Sequence, residues 1–157
     1  MPPGKYRVVQ WATGNVGRRA IPALLEHPEL DLVGLWVHSA DKVGRDAGDI
    51  AACEPSGIRA TDDVEALVAL QQDCVLYTPL SLDDDLVTGM LRRGINVVTT
   101  CAGFLTGTNL EPGRREAIEE AALTLPERTG QGSKITGTDE YWRRSVDGTV
   151  VTSPLTS

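Results

Sequence analysis

The residues with the clearest chemical potential are Ala12-Thr13-Gly14-Asn15-Val16-Gly17, a variant of G-x-G-x-x-G with alanine in the first place. In that pattern Gly14 would let the backbone approach a pyrophosphate, and Gly17 would let a helix pack close to a strand. Thr13, Asn15 and Val16 would stand beside the anion, because free amides at a helix N-terminus point outward and favour negative charge. Glycines at a strand-to-helix turn can also serve backbone geometry alone. The surroundings favour the dinucleotide reading, since the motif follows a strand-like run, opens a helical pattern and precedes a second strand at the right distance. That second strand ends in Val37-His38-Ser39 and lacks the carboxylate that would bond ribose hydroxyls in an NAD-selective site. With Lys42 and Arg45 nearby, a 2′-phosphate would meet donors and positive charge, so NADP is expected over NAD. Asp41 and Asp46 offset that charge, and the basic residues can equally be read as solvated loop charges.

Other chemistry is thinly supplied. His27 and His38 are the only histidines, so an imidazole base or a histidine metal site would need one of these. Cys53, Cys74 and Cys101 share no C-x-x-C spacing and read as buried free thiols, with no zinc site and no disulfide framework. Cys101 as a nucleophile is less favoured than Cys101 as a small packing residue. Asp83-Asp84-Asp85 point in different directions on a helix and suit its positive end better than a metal. Arg143-Arg144 could contact an anion or guard a hairpin edge.

The elements that must position these residues alternate between β-branched runs and helical patterns, which predicts an α/β fold with a Rossmann-type, doubly wound, mostly parallel sheet and helices on both faces. Strands are expected at residues 6–12, 32–37, 58–60, 74–78 and 96–100. Ala20, Ile21, Leu24 and Leu25 mark the first helix, which Pro22 should distort without ending and His27-Pro28 should stop. A polar loop is expected over 38–57. Asp62 with Glu65 looks like a helix start, Ser81 can cap the next helix, and Gly94 suits its left-handed exit. Pro112 fits the first turn of a helix with Ala117, Ile118, Ala121 and Ala122 on one side. Residues 1–123 would form the dinucleotide domain. Residues 124–157 read as a polar tail, with a hairpin plausible about Asp147-Gly148.

At 157 residues the chain suits one domain. A net charge of −7 argues against a general nucleic-acid surface. No apolar run approaches the roughly 20 residues needed to span a bilayer, and the start lacks a signal-peptide pattern, so a cytoplasmic address is expected.

The motif, together with Val43-Gly44-Arg45-Asp46-Ala47-Gly48, Tyr77-Thr78-Pro79 and Thr99-Thr100-Cys101-Ala102-Gly103-Phe104, resembles dihydrodipicolinate reductase and, more closely, its amine-dehydrogenase-like relatives over residues 5–123. The resemblance implies a nicotinamide-dependent oxidoreductase that moves hydride between NADPH and a carbon–nitrogen double bond. It places His38 at the adenosine ribose, and Tyr77, Thr78 and Pro79 with Thr100, Cys101 and Ala102 at the nicotinamide. Such reductases continue into a second domain that binds and protonates the substrate and carries the oligomer interface. That domain has no counterpart in Leu123-Thr124-Leu125-Pro126-Glu127-Arg128 or in the residues from Thr129 to Ser157. The expectation is therefore a cofactor domain incomplete as an enzyme. The alternatives are a non-catalytic dinucleotide-binding module or sensor that needs a partner, and an unstable fragment.

Overall fold

The computed structural model describes residues 4–101, 112–124, 126, 127, 130, 132, 133 and 135–137. The chain divides into two compact units, Met1–Thr78 and Pro79–Ser157.

The first unit holds β1 (Tyr6–Trp11), α1 (Asn15–Glu26), β2 (Leu30–Trp36), α2 (Ala47–Ala51), β3 (Ala60–Thr61), α3 (Val64–Val68) and β4 (Cys74–Tyr77). Its strands are all parallel in the order β3-β2-β1-β4. This order puts β1 at the centre, with Trp11 level with Trp36 on one side and Tyr77 on the other. Helices cover both faces. Leu35 and Val37 of the β2 segment join Ile21 and Leu24 of α1 and Ala47 and Ile50 of α2 in one apolar cluster. Gly34 faces the other way, where a side chain would press on Leu67 and Leu70 at 2.7 and 3.0 Å. A parallel sheet covered on both sides needs near-continuous apolar strands, which is why Val8, Val9, Leu32 and Leu35 are all buried.

The predicted alternation is present, with local differences. The first helix runs on through Pro22 and closes with His27 N–H on the Ala23 carbonyl at 3.1 Å. The expected polar loop over 38–57 is instead partly ordered as a 3₁₀ turn, Ala40–Lys42, and the short α2. The reason is Asp46, whose carboxylate caps α2 and gathers donors from ten residues further on. The cap of α3 is Asp63, bonded to Ala66 N–H at 3.0 Å, rather than Asp62. The third strand lies at Ala60–Thr61, slightly later than expected.

The second unit contains α4 (Asp84–Arg92), β5 (Asn96–Thr99), α5 (Pro112–Leu123) and β6 (Ile135–Gly137). Asp83 caps α4 by accepting from Leu86 N–H at 3.0 Å, displacing Ser81 from that expected role. Gly94 leaves the helix at φ +78°, as its position predicts. On α5, Ile118, Ala121 and Ala122 are buried, but Ala117 is exposed, so the apolar stripe is narrower than expected. Within the residues expected to form a tail, β6 pairs in parallel with β5, Val97 opposite Ile135. Ser133 anchors that approach, its hydroxyl donating to the Leu91 carbonyl at 2.7 Å and its amide to Ala122 at 2.9 Å. The hairpin expected about Asp147-Gly148 lies outside the described residues.

Candidate functional site

The glycine-rich motif forms the turn between β1 and α1. Ala12 leaves the strand at φ +78° and Gly14 precedes the helix in an extended conformation, with no side-chain cap. The first backbone bond of the helix is Arg18 N–H to Gly14 O at 3.0 Å, so by helix geometry the amides of Asn15, Val16 and Gly17 have no acceptor inside it. The two glycines have different tasks. A Cβ on Gly14 would meet nothing within 4 Å, which leaves that face open to an incoming group. A Cβ on Gly17 would collide with the Ala12 carbonyl oxygen and stand 2.8 Å from the Thr78 hydroxyl.

Beneath the turn lies a residue that the motif does not announce. Gln10 is fully buried, and its amide nitrogen donates to Ala12 O and Thr78 Oγ1, both at 2.9 Å. The available signal was a lone polar residue inside Val8-Val9-Gln10-Trp11, because a buried amide must find partners.

After β2 the chain passes His38 and Ser39, both exposed, to Lys42. The structure brings Lys42 to the glycine-rich turn, its Nζ donating to Thr13 Oγ1 at 3.1 Å. A cation thus stands beside the free helix end, where it adds to the field that the backbone amides present to an anion. The His38 ring lies 6.1 Å from Trp36, which stacks on Trp11 at 5.2 Å with the planes 9° apart. Arg45 is exposed. Its neighbour Asp46 is turned inward, accepting from Gly48 N–H at 2.7 Å, Ser56 N–H at 2.9 Å and Gly57 N–H at 2.8 Å. The Ser56 amide is foremost in lowering its pKa to about 2, helped by Gly48, Gly57 and the Ser56 hydroxyl against an opposing effect of burial. Asp46 is therefore an ionised brace of its loop.

Tyr77 ends β4 as a buried side chain, and Thr78 follows it with its hydroxyl donating to Trp11 O at 2.9 Å. In the second unit, Pro79 and Thr100 are half-buried and Cys101 is buried. The Cys101 thiol donates to Pro79 O at 3.2 Å, while its amide donates to Thr99 Oγ1 at 3.0 Å. Burial raises the thiol pKa, with Thr99 and the Arg114 charge opposing, so the group is held as a neutral packing thiol. Ala102 lies outside the described residues. Asp84 is committed to Arg114 at 2.5 Å and Asp83 to its cap, which accounts for two of the three successive aspartates. Among the described residues no group of three histidine, cysteine or acidic side chains could hold a metal ion, and no helix is long and apolar enough to cross a membrane.

The sheet, the open glycine turn and the cation beside it define a Rossmann-type NAD(P)-binding domain of the dehydrogenase and reductase class. The family model "Dihydrodipicolinate reductase, N-terminus" matches residues 8–126, and the chain belongs to that family. It is 49% identical over 146 residues to an amine dehydrogenase of Streptomyces virginiae, covering 88% of this chain and 39% of that protein. It is 28% identical over 121 residues to a 4-hydroxy-tetrahydrodipicolinate reductase of Rhodopirellula baltica, covering 75% of this chain and 41% of that protein. Among solved structures, the amine dehydrogenase from Mycobacterium smegmatis shares the fold with a TM-score of 0.71 at 23% identity, over 87% of this chain and 40% of that one. The chain thus spans well under half the length of each of these relatives.

Proposed function

We propose that the chain holds NADP, in preference to NAD, for hydride transfer between NADPH and a carbon–nitrogen double bond. The observation that carries this reading is the turn itself: an open face at Gly14, a free helix N-terminus behind it, and Lys42 Nζ 3.1 Å from Thr13 Oγ1. In this reading Thr13, Gly14, Asn15, Val16 and Gly17 hold the pyrophosphate through backbone amides and the Thr13 hydroxyl. His38, Ser39 and Lys42 receive the adenosine ribose and its 2′-phosphate. Supporting this, His38 and Ser39 are exposed and Asp46, the nearest carboxylate to Arg45 in sequence, is engaged elsewhere. The resemblance assigns Tyr77, Thr78, Pro79, Thr100, Cys101 and Ala102 to the nicotinamide. When bound, the cofactor supplies the hydride; the residues named here bind and orient it. Reduction of a carbon–nitrogen bond is supported by relatives that are named as an amine dehydrogenase and a 4-hydroxy-tetrahydrodipicolinate reductase. The thiols of Cys53 and Cys101, neither of them in a disulfide, suit a reducing, cytoplasmic compartment.

Calorimetric titration with NADPH and NADH tests the reading. The wild type should bind NADPH at roughly micromolar Kd, and Gly14→Trp, whose side chain enters open space, should fold and lose that binding. Lys42→Ala should weaken NADPH by about tenfold or more, the loss of one charge-assisted hydrogen bond, and NADH much less. A folded wild type that binds neither cofactor overturns the proposal, and equal weakening of both by Lys42→Ala overturns the assignment of Lys42 to the 2′-phosphate.

A further inference from the structure

Gln10 is the anomaly of β1. A primary amide at the centre of a strand covered on both faces is costly to desolvate unless its polar atoms are bonded. Gln10 has no exposed surface, and its Oε1 is buried with no hydrogen-bond partner among the described residues, so the side chain carries a cost that only its other end offsets. Its Nε2 lies 2.9 Å from Ala12 O, 3.3 Å from Trp11 O and 2.9 Å from Thr78 Oγ1. Two of these partners are carbonyls, which only accept, so this end of the side chain is the NH₂ group. The Thr78 hydroxyl donates in turn to Trp11 O at 2.9 Å.

These bonds converge on a backbone that an alanine would not choose. Ala12 holds φ +78°, a left-handed conformation that Cβ sterics disfavour, and it does so where the dinucleotide fingerprint carries its first glycine for a tight turn. The Ala12 amide is also fixed, donating to Trp36 O at 3.0 Å. Its carbonyl oxygen is the atom that Gly17 must pass without a side chain.

We propose that Gln10, with Thr78, is the positioning residue that takes over the task of the missing first glycine, holding Ala12 left-handed so that the cofactor turn keeps its binding shape. Without the amide, Ala12 relaxes toward negative φ and turns the peptide that leads into Thr13 and Gly14. The fraction of molecules with a competent turn falls, and apparent affinity falls with it. The inference rests on the reading that this turn holds a dinucleotide.

A double-mutant cycle between Gln10→Met and Ala12→Gly decides it, read by NADPH affinity and by melting temperature. Met conserves volume and removes the donor; Gly removes the reason the donor is needed. Gln10→Met should weaken NADPH about tenfold beside Ala12, the effect of losing a buried hydrogen bond, and less than about threefold in the Ala12→Gly chain. Ala12→Gly alone should raise the melting temperature. Equal effects of Gln10→Met in both chains, or a lower melting temperature for Ala12→Gly, overturn the proposal. Should Gln10→Met fail to fold, folding restored by Ala12→Gly supports it and failure of both overturns it. If the wild type binds no NADPH, the functional reading fails while the coupling in melting temperature still decides the role of Gln10.

Discussion

Replacing Gly17 with alanine adds one methyl group at the most crowded point of the cofactor turn. The new Cβ would overlap the Ala12 carbonyl oxygen and lie 2.9 Å from its carbon and 2.8 Å from Thr78 Oγ1. Ordinary carbon–oxygen approaches stop at about 3.3 Å, so the start of α1 must move away from the strand. Overpacking of this kind costs about 1–3 kcal/mol, and the upper end applies because the obstacle is backbone that cannot choose another rotamer. The shift also loosens the Gln10 bond to the Ala12 carbonyl, which contributes about 1 kcal/mol. A total of about 4 kcal/mol corresponds to a fall of roughly 8–16 °C in melting temperature for a chain of this size. Gly14→Ala provides the contrast. Its methyl group meets open space, and its φ of −69° suits any residue. Only the weaker capping preference of alanine acts there, a cost below about 1 kcal/mol. Thermal and urea unfolding followed by circular dichroism compares the two. If Gly17→Ala melts within a few degrees of Gly14→Ala, the close approach does not carry the energy assigned to it.

Asp46 makes stability depend on acidity. Its folded pKa of about 2 lies below the unfolded aspartate value of about 3.9, so its stabilisation is fully present above about pH 4 and is lost as pH falls toward 2. Urea midpoints of wild type and Asp46→Ala should therefore converge on acidification, and a gap that stays constant with pH contradicts the role of the carboxylate. The buried Cys101 thiol, with its raised pKa, should alkylate after the half-exposed Cys53 in native protein and at a similar rate in urea. Mapping the first labelled cysteine by mass spectrometry checks this, and Cys101 reacting first would revive its reading as a nucleophile.

The strands and helices that frame the turn were legible because apolar residues recur at strand and helix spacing, and Gly94 marks its helix exit by chemistry that few residues share. What escaped depends on partners distant in sequence. Five residues of α2 show no helical period, and the helix is capped by a carboxylate that Ser56 and Gly57 also hold. The three residues of β6 become a strand through pairing with β5. Asp83 rather than Ser81 caps α4, a choice set by where the helical backbone begins. Within the motif the backbone roles could be anticipated, since glycine spacing encodes them. Gln10 could be noticed as misplaced, but its acceptors at Ala12 and Thr78 only meet in the folded sheet. Lys42 was readable as a nearby charge, and its contact with Thr13 was not.

The parallel indoles of Trp11 and Trp36 sit at the ends of adjacent strands, one residue before the left-handed Ala12 and two before His38. Chromophores this close share their excited states, so the pair is an optical gauge built into the sheet beside the turn. A shift in the spacing of β1 and β2 is written directly into the exciton signal of the protein, without any attached label.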